Sequence, residues 1–547
     1  MRFSLRYRYR PRALAAAAAL VTVTSLAVAS PSPRANAADA HGAAVAAPGV
    51  EDEGADCPVP DPGASPSDAK LPDPFRRLDG TRVSTTSDWR CRRAEIREQA
   101  ERTVYGQKPA KPAGVTGTVS STGITVNVTD QGKSAGFTAQ VELPSGSGPF
   151  PAVVVLGGLG ADTATIKASG AAVVNFDPYS VGREGTARNN KQGAFYSVYG
   201  STSSTGLLMA WSWGVSRIID VIEQSGGNLL RADATGVTGC SRFGKGAFVA
   251  GAFDQRIALT MPIESGSGGA PAFRGIPGES GGQPLSSAYS EQPWLGDAFG
   301  SYTGDPAALP VDTHEIVGMV APRGLFLMEN PHVDWLSARS GSVAALGGAE
   351  VYRALGAAAN ISYWSDVQDG THCAARSEWK APLQQSIGKF LLNTGTAPGV
   401  FRVSPLKSGD LSQWRSWSTP ILSAVGNPDD GGGPDDGGGP DDGGTSGAVC
   451  TASYRTVNSW SGGFQGEVTV RNNSRTPMST WAVGMTLAPG QSIGSLWNGV
   501  STGTSGSVTV RNAAWTGTTA PDATTTFGFT ATGGSTTAPT GLTCTGT

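Results

Sequence analysis

Two short strings hold the residues best suited to chemistry: Gly239-Cys240-Ser241-Arg242-Phe243-Gly244-Lys245 and Gly370-Thr371-His372-Cys373. A serine hydroxyl is a weak nucleophile until a neighbouring base takes its proton, and imidazole is the side chain whose proton affinity suits that task near neutral pH. The chain has four histidines, and His41 lies in an N-terminal tail, which leaves His314, His332 and His372. His372 stands between the last strand candidate and the last helix candidate, so it is the expected base and Ser241 the expected nucleophile. If the two meet, the cysteines beside them come close enough for a Cys240–Cys373 disulfide to be geometrically plausible.

The elements that must position these residues read as alternating strands and helices. Ala152-Val153-Val154-Val155-Leu156 and Ala171-Ala172-Val173-Val174-Asn175-Phe176 are continuous apolar runs, as expected for strands buried on both faces. Residues 207–223 carry apolar side chains at helical spacing, and Thr235–Gly239 is a strand candidate leading into Cys240-Ser241. Strands at 324–328 and 361–364 and a helix over 378–392 complete the pattern. Such alternation predicts an α/β three-layer sandwich with its site at the carboxyl ends of the strands. Ser241 then occupies a strand-to-helix elbow, although Gly-x-Ser-x-Gly would demand a small residue where Phe243 stands. A helix-capping serine is the plainer alternative.

The chain has 547 residues and a formal net charge of −3, which gives no long-range field to gather nucleic acid or an anionic membrane. Arg2, Arg6, Arg8, Arg10 and Arg12 precede an apolar run from Ala13 to about Ala29, and Ala35-Asn36-Ala37 is a small-x-small cleavage site. Residues 1–37 therefore read as a secretory signal, with cleavage after Ala29 as a second possibility. Residues 38–56 are Ala/Pro-rich and expected to be disordered. Export permits disulfides, and the six cysteines fall by position into Cys57 with Cys91, Cys240 with Cys373 and Cys450 with Cys544, one pairing among many. No C-x-x-C or H-x-x-x-H spacing favours a metal. Near Pro428, Pro-Asp-Asp-Gly-Gly-Gly recurs almost three times, so residues 426–448 read as a flexible linker between a unit at 57–425 and one at 449–547. The second is rich in Thr, Ser, Gly and Val with alternating runs such as 467–470 and 507–510, which predicts an all-β sandwich.

The string Gly239 to Lys245 resembles the G-C-S-R-x-G-K signature of the glucuronoyl esterases, carbohydrate esterase family 15. The similarity extends through Glu264-Ser265-Gly266-Ser267-Gly268-Gly269, Ala321-Pro322-Arg323-Gly324-Leu325, Asp334-Trp335-Leu336 and His372-Cys373, and covers roughly residues 57–400. The resemblance implies an α/β-hydrolase fold without a cofactor. It also implies that Ser241 attacks the ester carbonyl, that His372 shuttles the proton and that Glu264 orients the imidazole. Glu264 follows the sixth strand of that fold, whereas the acid usually follows the seventh, where Glu329 stands as the alternative. Arg242 resembles an oxyanion-hole arginine. A uronate pocket would use Lys245, Gln283 with Glu291, and Trp335. The family commonly links the cysteine before the serine to the one after the histidine and has an N-terminal pair, as Cys240–Cys373 and Cys57–Cys91 would be.

The C-terminal unit resembles a family 2 carbohydrate-binding module through its terminal cysteines, Trp460-Ser461-Gly462-Gly463-Phe464, Trp497-Asn498 and Asn512-Ala513-Ala514-Trp515. The resemblance implies that Trp460, Trp497 and Trp515 form a flat strip stacking on cellulose, with Trp481 in the core. Gly463 and the third tryptophan favour crystalline cellulose over xylan. The expected protein is a secreted monomeric serine esterase that cleaves the ester between 4-O-methyl-glucuronic acid of xylan and lignin alcohols while anchored to cellulose. An acetyl or feruloyl xylan esterase is the alternative enzyme, and a catalytically inactive wall-binding protein the alternative of another class.

Overall fold

The computed structural model describes residues 50–61, 67–422 and 449–547, except 461, 475, 513–518, 520, 522 and 534–536; at 457–460, 495 and 497 only the backbone is described. The proposed signal, most of the N-terminal tail with His41, and the linker lie outside the described residues.

Within 50–422, strands β1 (Gly114–Val119), β2 (Gly123–Asp130), β3 (Lys133–Glu142), β4 (Phe150–Leu156), β5 (Ala172–Phe176), β6 (Leu230–Cys240), β7 (Ile257–Ile263), β8 (Gly324–Met328), β9 (Ile361–Trp364) and β10 (Phe401–Arg402) form one sheet. Its order is β1-β2-β3-β5-β4-β6-β7-β8-β9-β10. β1, β2 and β3 pair antiparallel, and β3 pairs antiparallel with β5. From β5 through β4 to β10 every pairing is parallel. Parallel neighbours require crossovers, which the helices supply. In chain order these are α1 (Thr86–Ala100), α2 (Thr163–Ala168), α3 (Ala194–Tyr199), α4 (Leu207–Gln224), α5 (Arg242–Phe253), α6 (Leu285–Glu291), α7 (Thr313–Val320), α8 (Ala338–Ala354) and α9 (Ser377–Phe390).

Every residue of β4 is buried, and its alternating side chains serve different layers. Ala152, Val154 and Leu156 join the cluster of Leu208 and Trp211 from α4 and Phe248 from α5. Val153 and Val155 join Ile166 of α2 and Trp379, Leu383 and Ile387 of α9. The period of two in the strand thus divides one apolar run between two helical layers, which is the α/β-hydrolase sandwich expected from the sequence.

The helix α4 is buried along residues 207–222, including Arg217 and Asp220. Charges survive there only when paired. Arg217 Nε lies 2.9 Å from Asp220, Arg256 Nη1 lies 2.6 Å from Asp220, and Arg256 Nη2 lies 2.8 Å from Asp254. Glu51 completes the set: its carboxylate lies 2.8 Å from Lys108 Nζ and also contacts the Arg217 guanidinium. Lys108, Arg217 and Arg256 are thereby balanced by Glu51, Asp220 and Asp254. Burial opposes ionisation of Glu51, but Lys108 and Arg217 outweigh it and hold the carboxyl down at about 2. The expectation of disorder up to residue 56 is therefore corrected for 50–56. These residues form a turn pinned by Glu51, and the Cys57–Cys91 disulfide ties the segment to α1.

Residues 449–547 form two antiparallel sheets. β11 (Cys450–Trp460), β12 (Gly463–Asn472), β17 (Thr524–Thr532) and β14 (Ser492–Trp497) make one; β15 (Gly499–Thr502), β16 (Ser507–Asn512), β13 (Trp481–Thr486) and β18 (Thr540–Gly546) make the other. Phe464, Val468, Val483, Val510 and Phe529 fill the space between them, and Trp481 stacks on Phe527 at a centroid separation of 5.6 Å. The Cys450–Cys544 disulfide joins the first sheet to the second.

Candidate active site

Ser241 sits between β6 and α5 with φ 59° and ψ −127°, a backbone conformation that a serine adopts only when its surroundings impose it. Its N–H donates to the Ile263 carbonyl at 2.9 Å. The close approach falls one residue later than Gly-x-Ser-x-Gly would put it: a Cβ on Gly244 would lie 2.5 Å from the Ile263 oxygen. Phe243 is accommodated between Tyr179 and Trp211, at centroid separations of 5.7 Å from each. Gly157 makes the room, since a Cβ there would come within 2.2 Å of the Phe243 ring.

His372 lies in the loop after β9, and its Nδ1 is 2.7 Å from Glu264 Oε2. The same oxygen accepts the Cys373 N–H at 2.9 Å. Glu264 is fully buried at the end of β7, with φ 46° and its N–H donating to the Met328 carbonyl at 2.7 Å. Its other oxygen faces Arg376 Nη2 and Asn330 Nδ2, each at 3.5 Å. Arg376 also donates to the Thr371 carbonyl at 2.7 Å and pairs with Asp369 at 3.0 Å. The carboxylate is thus braced on the side away from the imidazole. Cys240 and Cys373 are disulfide-bonded with Cα atoms 5.8 Å apart, which joins the residue before Ser241 to the residue after His372. Cys373 too has a left-handed backbone, at φ 59°. Ser241, Glu264 and Cys373 gather three strained conformations in one place. Donor atoms of Cys240, Glu264, His372 and Cys373 all lie within 4.8 Å of one another, but the two sulfurs are bonded to each other. That leaves one imidazole and one carboxylate, already engaged together, so this cluster is poorly equipped to hold a metal.

Glu329 stands elsewhere in the network. It is buried, one oxygen accepts from Ser265 Oγ at 3.4 Å, and the other has no hydrogen-bond partner. Burial, and then the adjacent Glu264 charge, push its carboxyl up to about 8. Of the two candidate acids, Glu264 touches the imidazole.

The remaining expected residues are linked to one another by a chain of contacts. Arg242 Nη1 pairs with Glu184 at 2.8 Å, and its guanidinium lies over Trp294 at 5.5 Å. Lys245 is buried, donates to the Ser265 carbonyl and lies 5.4 Å above the same indole. Burial pulls its amine down to about 8 against the opposing influence of Glu291 and Glu329. Gln283 Nε2 donates to Glu291 at 2.8 Å, and the Gln283 N–H donates to the Trp335 carbonyl at 3.2 Å. Trp335 is 53% exposed, with its ring edge-on to His372 at 6.0 Å. An exposed indole beside an imidazole presents an apolar face next to the proposed base. His314 is buried, 2.9 Å from the Pro72 carbonyl, and His332 bonds the Val367 carbonyl at 2.8 Å.

Glu184, Trp294, Asn330 and Arg376 escaped the sequence reading. A signal existed for Glu184, because an arginine beside a nucleophile needs a carboxylate to fix its direction; nothing local marks the others. In the β-sandwich, the backbones of Trp460 and Trp497 belong to the two outer strands of one sheet. Their side chains, and Trp515 altogether, lie outside the described residues.

Comparisons with known proteins find relatives of both units. The model for "Glucuronyl esterase, fungi" matches residues 126–356, and that for "Cellulose binding domain" matches residues 450–547. The chain is 37% identical over 363 residues to the 4-O-methyl-glucuronoyl methylesterase of Hypocrea jecorina, covering 65% of this chain and 77% of that protein. It is 37% identical over 375 residues to the Schizophyllum commune protein of the same name, covering 67% and 95%. Among solved structures, a serine-to-alanine mutant of the Sporotrichum thermophile glucuronoyl esterase, in complex with methyl 4-O-methyl-beta-D-glucopyranuronate, superposes with a TM-score of 0.63 at 35% identity. That match covers 67% of this chain and 100% of the other. A family 15 glucuronoyl esterase from Caldicellulosiruptor kristjansonii gives a TM-score of 0.56 at 30% identity, covering 65% and 99%. With more than three-quarters of each relative spanned at this identity, the chain belongs to the glucuronoyl esterases of carbohydrate esterase family 15.

Proposed function

We propose that this protein is a secreted serine esterase that hydrolyses the ester between 4-O-methyl-D-glucuronic acid of glucuronoxylan and lignin alcohols, held at the plant cell wall by a C-terminal cellulose-binding module. The observation that carries the reading is the Glu264–His372 contact, with the Cys240–Cys373 disulfide tying the residue before strained Ser241 to the residue after His372.

Ser241 Oγ attacks the ester carbonyl while His372 Nε2 takes its proton, and Glu264 holds the Nδ1 proton and favours the imidazolium that forms. The oxyanion develops at the N-terminus of α5, where the Arg242 N–H and its guanidinium are available as donors. As the tetrahedral species collapses, His372 returns the proton to the departing alkoxide. Water, deprotonated by the same nitrogen, attacks the acyl-serine and releases the uronic acid with Ser241 restored. Lys245, Gln283 and Glu291 supply amine, amide and carboxylate partners for ring hydroxyls, and Trp335 packs against the apolar side of the sugar.

The esterase unit spans about residues 57–425, preceded by an exported signal at 1–37, and a linker at 426–448 lets the module at 449–547 search a cellulose surface through Trp460, Trp497 and Trp515. Tethering raises the local concentration of esterase near its ester without contact between the units. Three disulfides suit an oxidising exterior, and the enzyme acts as a monomer with neither nucleic acid nor membrane as partner. Assay of benzyl glucuronate beside acetylated xylan, with Ser241→Ala as control, tests the reading. Alcohol release from the uronate, abolished in S241A, is expected; acetate release with an intact uronate ester would reject it.

A further inference from the structure

The loop after β4 passes between Phe243 and the Cys240–Cys373 disulfide and carries one large exposed apolar residue. At one end, Gly157 abuts the ring of Phe243, two residues beyond Ser241. At the other, Gly160 lies on the disulfide: a Cβ there would fall 2.7 Å from Cys240 Cβ and 3.0 Å from Cys373 Cβ. Gly157, Gly158 and Gly160 have φ of 66°, 72° and 74°, so the path needs glycines at all three positions. The fourth residue, Leu159, is not a glycine. It is 58% exposed, between an open-faced Gly158 and the disulfide beside His372.

The two halves of the ester must lie on opposite sides of Ser241. The acyl half is met by Lys245, Gln283 and Glu291, whereas the alcohol must leave within reach of His372 Nε2, the atom that protonates it. Leu159 immediately precedes Gly160, the residue that abuts the disulfide next to His372. An exposed leucine there is costly to leave in water and gains by contact with an apolar leaving group.

We propose that Leu159 is a specificity-determining residue for the leaving group, favouring esters of arylalkyl alcohols through contact with their aromatic ring. The inference rests on the uronate-ester reading above. Its test compares kcat/KM for benzyl and methyl glucuronate in wild type, Leu159→Ala and Leu159→Phe. Losing the leucine methyls from one face of a ring lowers the benzyl value about fivefold in L159A, with the methyl ester changed less than about twofold; L159F retains the benzyl preference. Equal losses on both esters, or an unchanged benzyl-to-methyl ratio in L159A, would overturn the role of Leu159 while leaving the uronate reading standing. A wild-type enzyme inactive on both uronates but releasing acetate would remove that reading and this inference with it.

Discussion

The two buried glutamates make a paired prediction with opposite signs. Glu264→Gln keeps the shape of the carboxylate but deprives His372 Nδ1 of a charged partner at 2.7 Å and leaves Arg376 with Asp369 as its remaining anion. An uncharged partner at that position misorients the imidazole tautomer, and comparable losses in Ser-His-Asp enzymes amount to about 10⁴ in kcat, or about 5 kcal/mol. Glu329→Gln touches no reacting group, so kcat should stay within about threefold. Its effect is on stability. In the folded protein the Glu329 carboxyl is pushed up to about 8 from 4.5, so the fold favours its protonated form. The unfolded chain releases that proton near pH 4.5. Stability is therefore fully present below that pH and declines as pH rises towards 8, by about 3 kcal/mol at pH 7. Glutamine carries no such cost, so the melting temperature of E329Q should exceed wild type by a few degrees at pH 7–8 and match it at pH 4. Steady-state kinetics on benzyl glucuronate and thermal melts from pH 4 to 8 measure both halves. Equal kcat losses in the two variants would refute the assignment of the acid to Glu264. An E329Q protein less stable than wild type at pH 8 would refute the electrostatic argument.

Two further outcomes follow from other parts of the network. Replacing Cys240 and Cys373 together by serine reopens a loop of sequence separation 133, for which chain entropy allows up to about 5 kcal/mol. The double variant should lose about 2–4 kcal/mol in denaturant melts and show a lower kcat with little change in KM, and wild-type kcat would contradict the clamp. Burial holds His314 at about 4 in the fold against 6.5, so its contribution is intact above pH 6.5 and drains away as pH falls towards 4, by about 3 kcal/mol. Denaturant midpoints should fall more steeply over that interval in wild type than in His314→Gln; identical slopes would show that His314 does not govern it.

What could be read from the chain was whatever repeats or clusters locally. The valine run of β4 and the apolar periodicity of α4 announce their layers because burial on two faces or one stripe writes a period into sequence. Ser241 and His372 stand out because histidines are scarce and each has a cysteine neighbour. Phe243 obscured the elbow: the residue that must be small is set by the Ile263 carbonyl, a contact 19 residues away that no local motif encodes. Glu264 and Glu329 could not be separated from sequence, since both end strands and both are followed by loops. Their difference is directional, one carboxylate facing the imidazole and the other Ser265. Arg376 and Asn330 act on Glu264 across 112 and 66 residues. Residues 50–56 were hidden because an acidic stretch after an alanine-rich tail reads as solvated, and the buried cations that Glu51 meets lie 57 to 205 residues further along the chain.

That anchor also decides where the catalytic unit can be said to begin. Glu51 is near the front of the chain, whereas Arg217 and Arg256 follow it by 166 and 205 residues. Without the turn at 50–56, Arg256 would keep Asp220, Asp254 and Glu223, Arg217 would keep Asp220, and Lys108 would lose its paired carboxylate. The leading segment is therefore a part of the buried charge balance, and its loss would strand a cation in the interior. A chain trimmed to the first cysteine would thus lose a buried countercharge, and not merely a tail, from the catalytic unit.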